Sequence, residues 1–262
     1  MRPEEYEEVA GLPLFTELGD AYRERLLRQA LSQRVPTGVT LFEQGDPADF
    51  LYILLEGAVE LRADDGAGHE ALVEVVQPID SFILAAVVTD APLLMTARTL
   101  TRSRLLLLPA DKLRSELLEQ PSLALALLGS LAGQYRGLVR QIKALKLRTS
   151  AERIGCYLLT LAREQGGSGT IELPYSKRAL AERMGMTPEN LSRAFASLRD
   201  RGVRMNRSRV VIDDVERLES FCQLDTLIDG VERNLRVPGQ RPDSTSVAAD
   251  DGEERADERS GG

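Results

Sequence analysis

Tryptophan is absent from this sequence, histidine occurs once, as His69, and cysteine twice, as Cys156 and Cys222. A structural zinc site draws four ligands mainly from His and Cys, so such a site is nearly excluded. A disulfide framework is very unlikely for the same reason, and any Ser-His-Asp or Cys-His mechanism would have to run through His69 alone. No metal cluster, phosphate-cradling Gly loop or nucleophile–His pair can be assembled, so the chain does not read as an enzyme. Long apolar runs are also missing. Ile83 to Val88 and Leu105 to Leu108 fall far short of the ~20 residues that span a bilayer. Residues 1–8 carry four acids where a signal peptide needs basic residues. Both features point away from membranes and export, and toward a reducing cytoplasm.

Positive charge is scarce as well: 33 Lys and Arg stand against 41 Asp and Glu, a formal net charge of −8. Taken whole, that balance opposes a nucleic-acid partner, but it is unevenly spread. Residues 1–110 hold 9 basic and 18 acidic side chains, 111–148 hold 7 and 3, 149–224 hold 12 and 10, and 225–262 hold 5 and 10. Between Tyr175 and Arg209 nine basic residues face three acids, the footprint expected of phosphate contact.

The same four segments differ in pattern. Up to about residue 110, short apolar bursts alternate with turn chemistry such as Gln44-Gly45-Asp46-Pro47 and Asp64-Asp65-Gly66-Ala67-Gly68, which predicts a sandwich or barrel of short strands. Residues 111–148 carry a short helix and then a long one that begins at Pro121. Along it, Leu128, Leu131, Tyr135, Leu138, Ile142 and Leu145 follow 3- and 4-residue spacing. That heptad seam implies a helix partner, the rival reading being one amphipathic helix packed on its own domain. Gly129, Gly133 and Gly137 recur beside it and would let another backbone approach. Residues 225–262 are polar, acidic and contain Pro, Gly and Ser, the composition of a disordered tail.

In 149–224 two helices abut, Lys177 to Met184 and Pro188 to Asp200, joined through Gly185-Met186-Thr187. A hairpin follows around Asn206-Arg207-Ser208. This is the order of a winged helix-turn-helix. Glu189, Ser192 and Arg193 lie at i, i+3 and i+4, so they project from one face near the start of the second helix. Arginine suits guanine O6 and N7, glutamate accepts from cytosine N4, and serine adapts to either edge. Ser176, Lys177, Arg178, Thr187, Asn190, Arg199, Arg207 and Arg209 are placed to meet phosphates of double-stranded DNA. The alternatives are a solvated polar face with a Glu189–Arg193 pair, or a ligand-binding regulatory module whose winged helix binds protein.

Across residues 12–222 this order resembles the CRP/FNR family of bacterial transcription regulators. Gly11-Leu12-Pro13-Leu14-Phe15 resembles the family's entry helix. The stretch Gly45-Asp46-Pro47-Ala48-Asp49-Phe50-Leu51-Tyr52-Ile53-Leu54-Leu55-Glu56-Gly57 resembles the core of its jelly roll, and Pro188-Glu189-Asn190-Leu191-Ser192-Arg193 resembles the recognition helix of the FNR branch. The resemblance implies an α+β chain with a cyclic-nucleotide-binding-like β jelly roll, a long dimerisation helix and a C-terminal winged helix-turn-helix. It further implies a homodimer that reads TTGAT half-sites in an inverted repeat and works with RNA polymerase.

Two departures narrow the signal. The family's cAMP contacts use a Gly-Glu and an Arg-Ser pair, whereas this chain reads Asp80-Ser81-Phe82-Ile83-Leu84-Ala85-Ala86 and then Leu93-Leu94-Met95-Thr96. Burying a phosphate there without a cation would be costly, so cAMP is not expected. Two cysteines cannot hold the iron–sulfur cluster of the oxygen sensor. What remains looks most like the nitric-oxide-responsive DNR/NnrR type, which implies haem as a cofactor. His69 is the one histidine available as an axial ligand, although its Gly-rich surroundings read as a turn. Ile83, Leu84, Leu93, Leu94 and Met95 are the candidate effector pocket, with plain core as the alternative.

Overall fold

Leu51-Tyr52-Ile53-Leu54-Leu55 offers no charged side chain and one polar atom, the Tyr52 hydroxyl, and the strand it forms is buried on both faces. Its surroundings come from a computed structural model that describes residues 3–227 apart from 17, 168, 175, 207 and 226. Most of the acidic tail, and Arg207 of the wing, therefore lie outside the described residues. The chain opens with α1 (Pro3–Ala10), α2 (Pro13–Thr16) and α3 (Asp20–Arg28). Then come β1 (Leu31–Val35), β2 (Thr40–Phe42), β3 (Phe50–Glu56), β4 (Val59–Asp64), β5 (Glu70–Val76) and β6 (Asp80–Phe82). The first part closes with α4 (Leu84–Thr89), β7 (Thr96–Thr99) and β8 (Ser103–Pro109).

The strands form two four-stranded antiparallel sheets, ordered β1-β8-β3-β6 and β2-β7-β4-β5. Sequence neighbours are repeatedly split between the sheets, which is the jelly-roll solution to burying one face of each. Phe42 from one sheet meets Tyr52 and Phe82 from the other, with ring centroids 5.2 and 6.2 Å apart. Helical side chains Phe15, Leu27, Leu113, Leu123 and Leu127 join the same core. Buried Arg104 of β8 is satisfied by Glu56 at 2.8 Å and by Glu8, which fastens α1 to the sheet.

One element differs from the sequence reading: the Leu84–Thr89 stretch within the strand region is the helix α4. Its apolar run has neither alternation nor turn residues, so length alone could not distinguish strand from helix.

The turn between β3 and β4 needs Gly57. Its φ is +94°, and a Cβ there would lie 2.5 Å from the Arg102 carbonyl oxygen and 2.8 Å from Ser103 Cα. Gly66 also has positive φ, +73°, but a Cβ on it would meet nothing within 4 Å. Gly66→Ala is therefore expected to cost about 1–2 kcal/mol of backbone strain, and Gly57→Ala about 1–3 kcal/mol more from overpacking. Equal losses in urea melts of the two variants would contradict the tight turn.

After β8 come α5 (Ala110–Glu119) and α6 (Pro121–Leu147), the latter 27 residues and so roughly 40 Å long. Pro121 suits its first turn because the missing N–H would have had no partner there. The next helix, α7 (Ser150–Glu164), starts at a capping box in which Thr149 and Glu152 satisfy each other's backbone N–H. There follow β9 (Thr170–Glu172), α8 (Lys177–Arg183), α9 (Pro188–Arg199), β10 (Val203–Asn206), β11 (Arg209–Ile212) and α10 (Val215–Cys222). The last three strands form a sheet in the order β10-β11-β9. A second core gathers Ile154, Leu158, Leu180, Leu191, Phe195, Leu198 and Val210, with the buried thiols Cys156 and Cys222 inside it. The architecture is thus α+β: a jelly roll, a long helix and a winged helix-turn-helix.

Candidate nucleic-acid interface

The second helix of the turn, α9, starts where Thr187 Oγ accepts from the Asn190 backbone N–H at 3.2 Å and Pro188 occupies the first helical position. Leu191, Ala194, Phe195 and Leu198 are its buried stripe. With that side fixed, Glu189, Ser192 and Arg193 are left together on the exposed face. Ser192 Oγ donates to the Pro188 carbonyl at 2.9 Å, which leaves its lone pairs outward. The Glu189 carboxyl is held below its ordinary range by the backbone N–H at the helix start, by Thr187 and by Arg193. It is a carboxylate at neutral pH, hence purely an acceptor. One face therefore offers an acceptor, an adaptable hydroxyl and a guanidinium fork.

Around this face, Ser176 caps α8 by accepting from the Ala179 N–H at 3.2 Å, and Lys177 and Asn190 are exposed. Arg178 and Arg209 are exposed too, but in the free protein they pair with Glu182 at 3.1 Å and Glu172 at 3.4 Å. A phosphate would have to displace those carboxylates. Arg199 sits in the last turn of α9, on the stripe of Ser192 but roughly 10 Å further along the axis.

The two halves meet through a bridge between residues far apart in the chain. Arg62 of β4 reaches Glu182 of α8 at 3.1 Å, while also pairing with Glu60 and Glu70 of its own hairpin at 3.3 and 3.1 Å. The first helix of the helix-turn-helix thus docks on the β4–β5 hairpin. No local pattern marks a bridge between residues 120 positions apart.

Along α6 the seam residues divide. Tyr135 is 68% and Ile142 56% exposed, and Leu128, Leu138 and Leu145 are also exposed, an uncovered apolar stripe on the single chain. Leu131 instead packs partly against the jelly-roll core. The side of α6 bearing Gly129 and Gly133 meets β6: Ser130 Oγ lies 3.3 Å from Ser81 Oγ, and Gln134 Nε2 donates to the Ser81 carbonyl at 2.8 Å.

The five candidate pocket residues do not stay together. Between the sheets is a cavity of about 220 Å³ that Ile83 and Leu93 help to line, with Phe42, Asp46, Asp49, Phe50 and Tyr52. Leu84 is fully buried in the core, Leu94 is 79% exposed, and Met95 packs on the core's edge. The α4 helix explains the split, because it turns Leu84 inward and the chain after it turns Leu94 out. His69 is 85% exposed in the β4–β5 turn, its Nδ1 2.9 Å from Asp65 Oδ2. His69 is not among the residues that line this cavity.

No helix among the described residues is long and apolar enough to cross a membrane. Among the same residues no group of three or more His, Cys, Asp or Glu could hold a metal ion.

Residues 32–120 match the family model of the cyclic nucleotide-binding domain, and residues 152–221 that of the Crp-like helix-turn-helix domain. A CRP-like cAMP-activated global transcriptional regulator of Mycobacterium tuberculosis is 29% identical over 198 residues, 74% of this chain and 88% of that protein. The global nitrogen regulator of Nostoc sp. is 31% identical over 168 residues, 62% of this chain and 75% of its own length. The structure of FixK2 from Bradyrhizobium japonicum superposes with a TM-score of 0.63 at 23% identity, covering 73% of this chain and 96% of that one. With a jelly roll, a long helix and a Crp-like helix-turn-helix in that order, this chain belongs to the CRP/FNR family of transcription regulators.

Proposed function

We propose that the protein is a homodimer that reads TTGAT-type half-sites in an inverted repeat, and that a small effector in the jelly roll shifts its affinity for DNA. The observation that carries this reading is the exposed triad of Glu189, Ser192 and Arg193 at the start of α9, inside a local excess of positive charge. Guanine and cytosine edges in the major groove are what such a set recognises. The bare stripe on α6 supports a second copy as partner, because a twofold pairing would place two reading helices on a palindrome.

The effector is read through β6. Ile83, a β-branched residue held at φ 60°, lines the cavity two residues from Ser81, which hydrogen-bonds to α6. A strained residue between a cavity and the dimer helix suits a two-state element, since its cost of about 1–3 kcal/mol is released in one arrangement and retained in the other. The M. tuberculosis relative is described as cAMP-activated, but the charged residues lining this cavity are Asp46 and Asp49, which would repel a phosphate. A nitric-oxide response through haem gains no support from the placement of His69, so the proposal does not extend to it.

Gel shifts at one salt concentration test the reading. A duplex with two inverted TTGAT half-sites is expected to bind at least 100-fold more tightly than the same duplex scrambled. Equal affinities would leave the winged helix as a protein-binding module.

A further inference from the structure

The cavity between the sheets is built unlike an anion site. Its lining includes the rings of Phe42, Phe50 and Tyr52 and the carboxylates of Asp46 and Asp49, with no Lys or Arg. Phe42 and Tyr52 lie 5.2 Å apart and Phe50 and Tyr52 6.4 Å apart between centroids, so the aromatic surface is continuous. Tyr52 is only 9% exposed, yet its hydroxyl has no hydrogen-bond partner among the described residues. The hydroxyl itself is not sealed off from solvent, so at the cavity it is open to a ligand or a water. Burial, followed by Asp49 and Asp46, pushes that hydroxyl's pKa up, which keeps it neutral and records a negative field at the site.

The two carboxylates differ in what else they do. Asp46 accepts from the Glu43 backbone N–H at 2.8 Å and so helps to hold its turn. The Asp49 carboxylate, exposed at the cavity mouth, has no ion pair or side-chain hydrogen bond among the described residues. Aromatic rings attract cations through their quadrupole, and carboxylates add a charge of the right sign. At about 220 Å³ the space is below the ~300–1,000 Å³ of drug-sized pockets.

We propose that this cavity binds a small organic cation, an alkylammonium or guanidinium compound, in contact with Asp49, Tyr52 and the flanking rings. The inference rests on the reading of the jelly roll as an effector domain, and it names the effector's class. Asp49 supplies the charge, Tyr52 a hydrogen bond, and Ile83 senses occupancy at the cavity wall.

Titration calorimetry on the full chain with butylammonium chloride, butanol and sodium butyrate separates charge from shape. Butylammonium is expected to bind saturably and at least tenfold more tightly than butanol, with butyrate not binding. Asp49→Asn is expected to remove that advantage while leaving the melting temperature of the free protein unchanged, because the carboxylate supports nothing else in the fold. Tyr52→Phe should weaken the cation by a smaller factor. Equal binding of butylammonium and butanol, or tighter binding of cAMP than of either, would overturn the proposal. Gel shifts with and without butylammonium form a separate arm. An unchanged DNA affinity despite saturable, Asp49-dependent binding would uphold the cation site and overturn the effector reading.

Discussion

Replacing both Leu138 and Ile142 with glutamate is expected to give a folded monomer that has lost its grip on an inverted repeat. Both side chains are about half exposed on the single chain, so the substitutions place no charge in an existing core. Paired across a twofold axis, the stripe of Leu128, Tyr135, Leu138, Ile142 and Leu145 would bury its remaining apolar surface. Covering half of such a side chain contributes roughly 1 kcal/mol, and five positions on each of two protomers approach about 10 kcal/mol, the scale of the ~4–15 kcal/mol cost of association. Four carboxylates in that seam reverse the balance. A dimer also binds its second half-site as an intramolecular event, so the monomer should lose about 10²–10⁴-fold in affinity for the repeat. Sedimentation velocity and gel shift read the two effects. A double variant that stays dimeric would place the interface elsewhere, while a fall in melting temperature by many degrees would make the stripe part of the protomer's own fold.

Arg193→Ala is expected to lower affinity by about 1–3 kcal/mol per half-site and to relax preference at the guanine of the TTGAT sequence. Arg193 is exposed next to Glu189 and Ser192, and its neighbours Leu191 and Ala194 already anchor the helix, so its loss removes a contact and leaves the scaffold in place. A phosphate contact behaves differently. Lys177→Ala should weaken all sequences alike and reduce the salt dependence. Competition assays over single-base variants of the half-site distinguish the two. An equal loss from Arg193→Ala on cognate and random duplex would rule out base reading by this residue.

These expectations draw on parts of the molecule that are legible in the sequence itself. The turn chemistry around Gly45 and Gly66, Pro121 at a helix start and the two helices that abut at Gly185-Met186-Thr187 are all local signals, and each element lies close to its expected place. The triad on α9 was legible because helical spacing alone puts i, i+3 and i+4 on one face. What escaped is long-range or context-dependent. The helix α4 shares its apolar run with the strands around it, so the sequence pattern does not show that the chain's path turns Leu84 and Leu94 away from the cavity. The Arg62–Glu182 bridge and the Ser81–Gln134 hydrogen bond join residues with no relation in sequence. The aromatic and acidic lining of the cavity assembles from β2, the β2–β3 turn and β3, and emerges only when two sheets face each other.

Net charge illustrates the same point. The overall value of −8 opposes DNA binding only while it is treated as uniform, and the α8–α9 face is basic against an acidic sensor. On the proposed reading, the acidic remainder of the chain is expected to repel loosely held duplex and leave specificity to few contacts.

Selection of bound sequences from a random duplex pool by the purified chain tests the central claim most directly. The account predicts enrichment of two TTGAT-like half-sites as an inverted repeat, with centres about one helical turn, 10–10.5 base pairs, or a multiple of it apart. A pool that shows no enrichment, or only single half-sites without twofold symmetry, would contradict it.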